Sequence, residues 1–385
     1  MTACAAIIVA AGRGQRFGGD GPKQYQSLAG EPLLRRTLRA FCSHPRIDAV
    51  VPVIHGDDTL LYAEAAAGIV NAHKLRAAVI GGAARQDSVR NGLEALAAAS
   101  PRIVLIHDGA RPVVAASLID AVIDGLTHAE GAIPALPVVD TLKRIQGKDA
   151  IGATVARAGL VRAQTPQGFR YPAILAAHRS ATGHNLTDDA AVMEQAGHRV
   201  VIVPGAEANI KVTTMDDLAR LNDMISETRT GQGFDVHKFG PGDGVWLCGV
   251  KIPHDHGLDG HSDADVALHA ATDAILGAIG AGDIGQHFPP SDPSYRGVSS
   301  DRFIKHAYDL LRARGGMLVH LDLTIICERP KVGPHRARLV ARIAEILGID
   351  PQRVSVKATT TEGLGFTGRQ EGIAAQAVAT VRVAG

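Results

Sequence analysis

Aromatic side chains are scarce: Phe, Trp and Tyr make up 4% of the 385 residues, with a single Trp. No basic run is interleaved with the few aromatics present, which argues against a nucleic-acid surface. An excess of either charge is missing too: 40 Lys and Arg face 39 Asp and Glu, 24 against 22 up to residue 229 and 16 against 17 beyond it. Neither half has the basic excess of a nucleic-acid binder. Only four cysteines occur, scattered and without a CxxC pair, which argues against a disulfide framework and fits a reducing compartment. No apolar stretch reaches the roughly 20 residues that cross a bilayer. The chain runs from Met1 straight into an apolar strand with no charged leader or cleavage pattern, so no membrane partner and a cytoplasmic location are expected. Internal repeats are absent, and so are low-complexity tracts beyond alanine-rich helices.

What is present suits two α/β domains, because 385 residues are many for one core. In the first half, apolar strands near 5–11, 49–55, 77–82, 103–107 and 131–136 alternate with amphipathic helices near 32–43, 58–70, 85–99 and 115–128. That alternation predicts a Rossmann-like, mostly parallel sheet with ligands at the carboxyl ends of its strands. DTLKRIQGKDAI reads as a protruding hairpin, suited to a dimer arm. In the second half, helices near 263–280, 300–314 and 334–347 alternate with strands near 317–328, 353–359 and 372–383. The expected division is 1–226, a short linker 227–232 around RTGQG, and 233–385.

In GFDVHKFG, His237 follows Asp235 by two residues, so both side chains share one face of a strand. A helical stretch, HSDADVALHAATDAILGAIG, adds His269. A bare DxH is more often a surface motif than a ligand pair. Two imidazoles and one carboxylate, however, form a zinc set that leaves a fourth position open for chemistry. Asp265, His269 and Asp273 recur every four residues and share one helix face, expected to meet a site or water. Further on, VKATTTEGLGFTGRQEG runs from a strand into Thr359, Thr360, Thr361 and Glu362, with glycines at 363, 365 and 368. Hydroxyls, freed amides and one carboxylate suit a diphosphate with its own divalent ion.

Through GFDVHKF, HSDADVALHA, GDIGQHFPPSDP, ICERPKVGPH and KATTTEGLGFTGR in that order, residues from about 230 onward resemble the 2-C-methyl-D-erythritol 2,4-cyclodiphosphate synthase family. The resemblance implies a homotrimer of compact α/β subunits with sites between neighbours. It implies that Asp235, His237 and His269 hold Zn2+ or another divalent transition metal, and that Glu362 holds Mg2+ or Mn2+. By the same resemblance, His261 and Ser262 lie on a loop over the methylerythritol end and Asp283 binds its hydroxyls. Phe366 and Arg369 also belong to the substrate site, while Lys331, Thr359 and Thr360 surround the cytidine diphosphate, with Thr360 in a catalytic role. In the implied reaction the 2-phosphate attacks the β-phosphorus of the same molecule and expels CMP. No side-chain nucleophile is needed, so Cys248 and Cys327 read as small buried hydrophobes.

The first half opens with AAIIVAAGRGQRFGGDGPKQY, an apolar strand running into a glycine-rich loop that bears Arg13, Arg16 and Lys23. Such a loop cradles phosphate through backbone amides. It is not the dinucleotide fingerprint, since Phe17 stands where the third glycine would fall, and it lacks the P-loop ending. GGAARQDSVRNG, HDGARPVV, DTLKR, AQTPQGF, TDDAAVMEQAG and NIKVTTMDDL follow, and over about 3–225 the chain resembles the 2-C-methyl-D-erythritol 4-phosphate cytidylyltransferase family. This implies cytidine contacts from Ala10, Ala11, Gly12, Gly82 and Ser88. It implies triphosphate neutralisation and catalysis by Arg16 and Lys23, with Lys211 and Arg157 also catalytic. Asp108, Arg111, Thr141, Thr165 and Thr187 complete the methylerythritol phosphate site, some of them donated across a dimer. Where some relatives carry an acidic residue this chain has Ala83, leaving base recognition to the backbone.

Together the resemblances imply a bifunctional enzyme of non-mevalonate isoprenoid biosynthesis acting on CTP and methylerythritol phosphates. A kinase must act between the two steps, and its association with this chain is one implied partnership. Dimer and trimer contacts in one chain close most simply as a hexamer. Glycine loops and metal triads alone also allow a sugar-phosphate nucleotidyltransferase fused to a metal phosphohydrolase, or a chain in which one half is a non-catalytic scaffold.

Overall fold

The structure is a computed structural model and describes residues 3–14, 17–18, 21–181, 186–260, 262–289, 291–295 and 297–384. It divides into two units, Met1–Met224 and Ile225–Gly385.

In the first unit the apolar run Cys4–Ala10 is the central strand, flanked in parallel by Ala49–Ile54 and Ile103–Asp108. Those two neighbours are buried at every position, which is why they read as continuous apolar runs; helices cover both faces. Leu34, Leu38 and Phe41 of the helix Leu33–Ser43 pack in the core on one face. Val89 and Leu93 of the helix Arg85–Ala95 pack in the core on the other. Val79–Ile80 extends the parallel side. On the opposite side Gln167–Arg170 runs antiparallel between Ile103–Asp108 and Gly131–Pro137. Val161–Ala163 and Val200–Pro204 complete the eight strands by pairing with Gly131–Pro137. The sheet is therefore mostly parallel, as the alternation predicts. The hairpin Leu142–Gln146 with Ala150–Val155 forms its own two-stranded sheet, with Ile145 and Ile151 at 77% and 70% exposure.

The second unit is a five-stranded sheet in the order Gly257–Leu258, Ser226–Gly240, Gly372–Ala384, Met317–Ile326, Val354–Thr359, with only the last pair parallel. Helix Val266–Ala278 lies across the two long strands and Asp301–Ala313 packs beside it. Leu268, Ile275, Ile304, Leu311, Leu323, Ile325 and Val381 share the core between them.

Residues 227–232, expected as a linker, lie inside the strand Ser226–Gly240 and pair residue by residue with 378–383. The helix Met215–Ile225 passes into that strand with no residue between. Gly231 and Gly233, on either side of the expected linker's end, are contact points with a helix. A Cβ on Gly231 would lie 2.2 Å from the Ala274 carbonyl oxygen, and one on Gly233 2.0 Å from that of Ala270. Only glycine lets the helix approach the strand this closely. On the other face of the same strand, Phe234 and Val236 are exposed.

Candidate active sites

At the carboxyl ends of Cys4–Ala10 and Ile103–Asp108 a cavity of about 670 Å³ opens, and Ala10, Ala11, Gly12, Lys23, Gly82, Ser88, Asp108 and Lys211 all line it. Lys23 Nζ donates to the Val212 carbonyl oxygen at 2.9 Å, and buried Gln24 donates to that of Ala10 at 2.6 Å. Ser88 Oγ accepts from the Gly82 amide at 3.1 Å, which fixes the loop opposite.

Asp108 organises the floor of the cavity. Lys211 Nζ is 2.9 Å from its carboxylate, Arg85 Nε 3.4 Å and Arg111 Nε 3.5 Å. Burial alone would raise its pKa, but Lys211, Arg85 and Arg111 outweigh burial and hold it well below the usual carboxylate range. Behind it Thr165 is buried; its Oγ accepts from the Asp108 amide at 3.2 Å and meets His107 Nδ1 at 3.0 Å. Burial pushes His107 down to about 4, so it is neutral at pH 7. Arg111 turns from the cavity and donates to the Asn209 carbonyl oxygen at 2.7 Å.

Arg85 is the residue the sequence did not single out. It lines the cavity, and its guanidinium bridges Asp108 to fully buried Asp189, 2.8 Å away, which in turn faces His178 at 3.2 Å. Asp189 lies 104 positions from Arg85 in the numbering, so no local pattern marks the pair. Arg13, on the same glycine-rich loop, lines the cavity and is engaged by Asp58 at 2.9 Å and by Asp57. Thr141 and Arg157 sit exposed at the base of the hairpin, where Arg157 donates to the Val139 carbonyl oxygen. Thr187 is exposed before the helix Asp189–Gln195. None of these three lines the cavity of a single chain. Arg16 lies outside the described residues.

In the second unit Asp235 and His237 project from one strand and His269 from the helix packed on it. Asp235 Oδ2 is 3.0 Å from His269 Nδ1 and 3.1 Å from His237 Nε2, and the two imidazole nitrogens are 3.1 Å apart. The remaining nitrogens meet oxygens of the protein: His237 Nδ1 faces the Asp259 carbonyl at 2.9 Å, and His269 Nε2 faces Ser300 Oγ at 2.9 Å and Ser262 Oγ at 3.2 Å. Burial would raise Asp235, but His237 and His269 hold it well below its ordinary value. A divalent transition metal fits this donor set, because one nitrogen per ring is anchored and the other is turned to a common point.

The four-residue spacing misleads at two positions. Asp265 is fully buried and caps its helix, accepting from the Leu268, Cys248 and Gly249 amides at 3.0, 2.9 and 2.6 Å. Asp273 accepts from the Ile284 amide at 2.7 Å and holds the following loop. Both carboxylates serve the fold and only His269 of the three reaches the ligand cluster. A second grouping, His254, Asp255 and His256, sits on a turn where His254 Nδ1 already accepts from the His256 amide at 3.1 Å.

Lys331, Thr359 and Thr360 line a separate hollow of about 340 Å³ with Cys327 and Pro330. Glu362 follows in a left-handed conformation, φ +55°, and accepts from Thr360 Oγ at 3.2 Å. Glu328, which the sequence did not single out, accepts from the Thr361 amide at 3.1 Å and secures this loop. Asp283 is exposed and caps the short helix Ile284–His287 through the Gln286 amide, 2.9 Å. Phe366 is 38% exposed, and Arg369 pairs with Glu371 at 2.8 Å. His261 lies outside the described residues.

Residues 4–227 match the 2-C-methyl-D-erythritol 4-phosphate cytidylyltransferase family and residues 228–382 the YgbB family. The chain is 60% identical to the bifunctional enzyme IspD/IspF of Rhodospirillum rubrum over 384 residues, 99% of each chain. It is also 60% identical to that of Paramagnetospirillum magneticum over 386 residues, again 99% of each. Among solved structures, the 4-diphosphocytidyl-2C-methyl-D-erythritol synthase of Anaerococcus prevotii is 30% identical with a TM-score of 0.50, over 58% of this chain and 98% of that one.

Proposed function

The chain belongs to the bifunctional IspD/IspF family, and from that premise we propose how its residues divide two reactions. The first unit transfers CMP from CTP to 2-C-methyl-D-erythritol 4-phosphate and releases pyrophosphate. The second cyclises 4-diphosphocytidyl-2-C-methyl-D-erythritol 2-phosphate and releases CMP.

Both reactions bring anions together, so positioning and fixed charge supply the catalysis. In the first cavity, the backbone from Ala10 to Gly12 and the Gly82–Ser88 loop hold the cytidine, while Lys23, with Arg16, neutralises the triphosphate. Lys211 is set by Asp108 to meet the acceptor phosphate. Arg85 keeps Asp108 ionised and oriented, Arg111 supports the same carboxylate, and Thr165 holds the Asp108 backbone amide. Thr141, Arg157 and Thr187 would act in a dimer, where the exposed hairpin reaches a second copy. Mg2+ accompanies the nucleotide.

In the second unit Asp235, His237 and His269 hold Zn2+ or a related ion, which when bound acts as a Lewis acid on a phosphate oxygen. The remaining work is done by the protein. Thr359, Thr360 and Lys331 hold the cytidine diphosphate in the hollow they line, and Glu362 carries the Mg2+ or Mn2+. Ser262, His261, Asp283, Phe366 and Arg369 hold the methylerythritol end. Keeping both ends in line contributes about 7–11 kcal/mol in well-positioned intramolecular reactions.

The observation that carries this assignment is the convergence, in separate units, of the Lys23–Asp108–Lys211 cavity and the Asp235–His237–His269 cluster. Phosphorus NMR of the purified chain with CTP, methylerythritol phosphate, Mg2+ and Zn2+ tests it. Pyrophosphate and a CDP-alcohol should appear first, then CMP and a cyclic diphosphate once ATP and the intermediate kinase are added. Failure of the CDP-alcohol to form would overturn the residue roles in the first unit; its phosphorylation without cyclisation would overturn those in the second.

A further inference from the structure

Ser300 stands at the N-cap of the helix Asp301–Ala313, a position where a serine hydroxyl ordinarily accepts from an amide of the first turn. Here it makes no such bond. Ser300 is completely buried, and its Oγ lies 2.9 Å from His269 Nε2, on the side of the ring away from Asp235. Asp263 grips it from behind: Ser300 Oγ donates to Asp263 Oδ1, and the Ser300 amide donates to Oδ2 at 3.1 Å. The Asp263 amide is itself tied to the Val298 carbonyl at 3.2 Å.

The donor directions follow from this arrangement. Because the Ser300 hydroxyl donates to Asp263, its proton points there and a lone pair of its oxygen faces His269. The Nε2 proton of His269 therefore has an acceptor, and the Nδ1 lone pair is left facing Asp235 and His237. We propose that Ser300, backed by Asp263, is a positioning residue that fixes the His269 tautomer and ring angle and thereby sets the affinity of the cluster for a divalent transition metal. This rests on the metal-holding role given to Asp235, His237 and His269. It extends the usual carboxylate-to-histidine support of metal ligands by one hydroxyl. Ser262, 3.2 Å from the same nitrogen and 3.4 Å from Ser300 Oγ, is the lesser support, because it has no carboxylate behind it.

The test uses the full chain, with Zn2+ and Co2+ affinities measured by chelator competition. Ser300→Ala should weaken both about 10- to 100-fold, Ser300→Thr should restore most of the loss, and the cobalt visible bands should shift in the alanine variant alone. Cytidylyl transfer by the same molecules should be unchanged, showing that the first unit is intact, and a parent-like urea midpoint in Trp246 fluorescence shows that the second unit is folded. Independently of any variant, 15N shifts of the metal-loaded parent should place the His269 proton on Nε2. Parent-like affinity in Ser300→Ala, or a proton found elsewhere on His269, would overturn the proposal while leaving the metal site standing. A parent chain that binds no metal at the cluster would overturn the metal reading, and the positioning role with it.

Discussion

Among single residues, Asp108 has the most heavily compensated charge, with Lys211, Arg85 and Arg111 within 3.5 Å. Truncating one preorganised cation in such a site costs about 10²–10³ in kcat, so Lys211→Ala should lose that much cytidylyl transfer. Cyclisation measured on the same preparation should be untouched. His107, directly before Asp108, gives the pH dependence. Its folded pKa of about 4 lies below the ordinary 6.5, so the unfolded chain gains a proton first as the pH falls. Stability should therefore decline from about pH 6.5 down to about 4, by roughly 3 kcal/mol at most. Asp108 acts lower: its depressed folded value gives stability that is present above the ordinary carboxylate range and lost only as the pH falls further. Hydrogen exchange of the amides in Ile103–Asp108 between pH 7 and 4 checks the His107 effect, which His107→Gln should flatten.

The same scale shows what local sequence can and cannot carry. Asp235 and His237 were legible because a two-residue spacing on a strand fixes a common face, and the structure turns both toward His269. Arg85, Glu328 and Ser300 were not, because each is defined by a partner far along the chain or on another element. Asp265 and Asp273 were read toward a site or water because periodicity tells which residues share a face and not what that face meets.

At the scale of elements, alternating apolar and amphipathic segments located many strands and helices with ends displaced by a few residues, but not Gln167–Arg170, Tyr171–Ser180, Asp189–Gln195, Val200–Pro204 or the full strand Ser226–Gly240. Residues 227–232, expected as a short linker, are strand instead, and Gly231 and Gly233 of that strand serve close packing. Gly233→Ala would drive a methyl into the Ala270 carbonyl and should cost about 3 kcal/mol. Trp246, the only tryptophan of the chain and a residue of the second unit, reports that loss as a lower urea midpoint in fluorescence. An isolated two-stranded hairpin is at best marginally stable in water, which supports a protein partner for Leu142–Val155 with its exposed Ile145 and Ile151. Replacing both isoleucines by aspartate should lower the assembly mass in sedimentation and reduce cytidylyl transfer, because Thr141 and Arg157 stand at the base of that arm.

For the molecule as a whole, the exposed Phe234 and Val236 on the sheet face of the second unit support self-association there too. If the first unit dimerises and the second trimerises, the smallest closed assembly is a hexamer, which sedimentation equilibrium checks directly; the hairpin variant should then fall to trimers. Loss of metal should separate the two activities. A chelator selective for transition metals should stop cyclisation while cytidylyl transfer continues in added Mg2+, and Zn2+ should restore it.

The missing joint between helix Met215–Ile225 and strand Ser226–Gly240 constrains how the halves can be separated. Severing the chain after residue 232, where the glycines invite it, would strip the pairing partners from 378–384 and leave that stretch as a bare apolar edge, a template for aggregation. A truncation that keeps the cyclising half soluble should begin at or before Ser226.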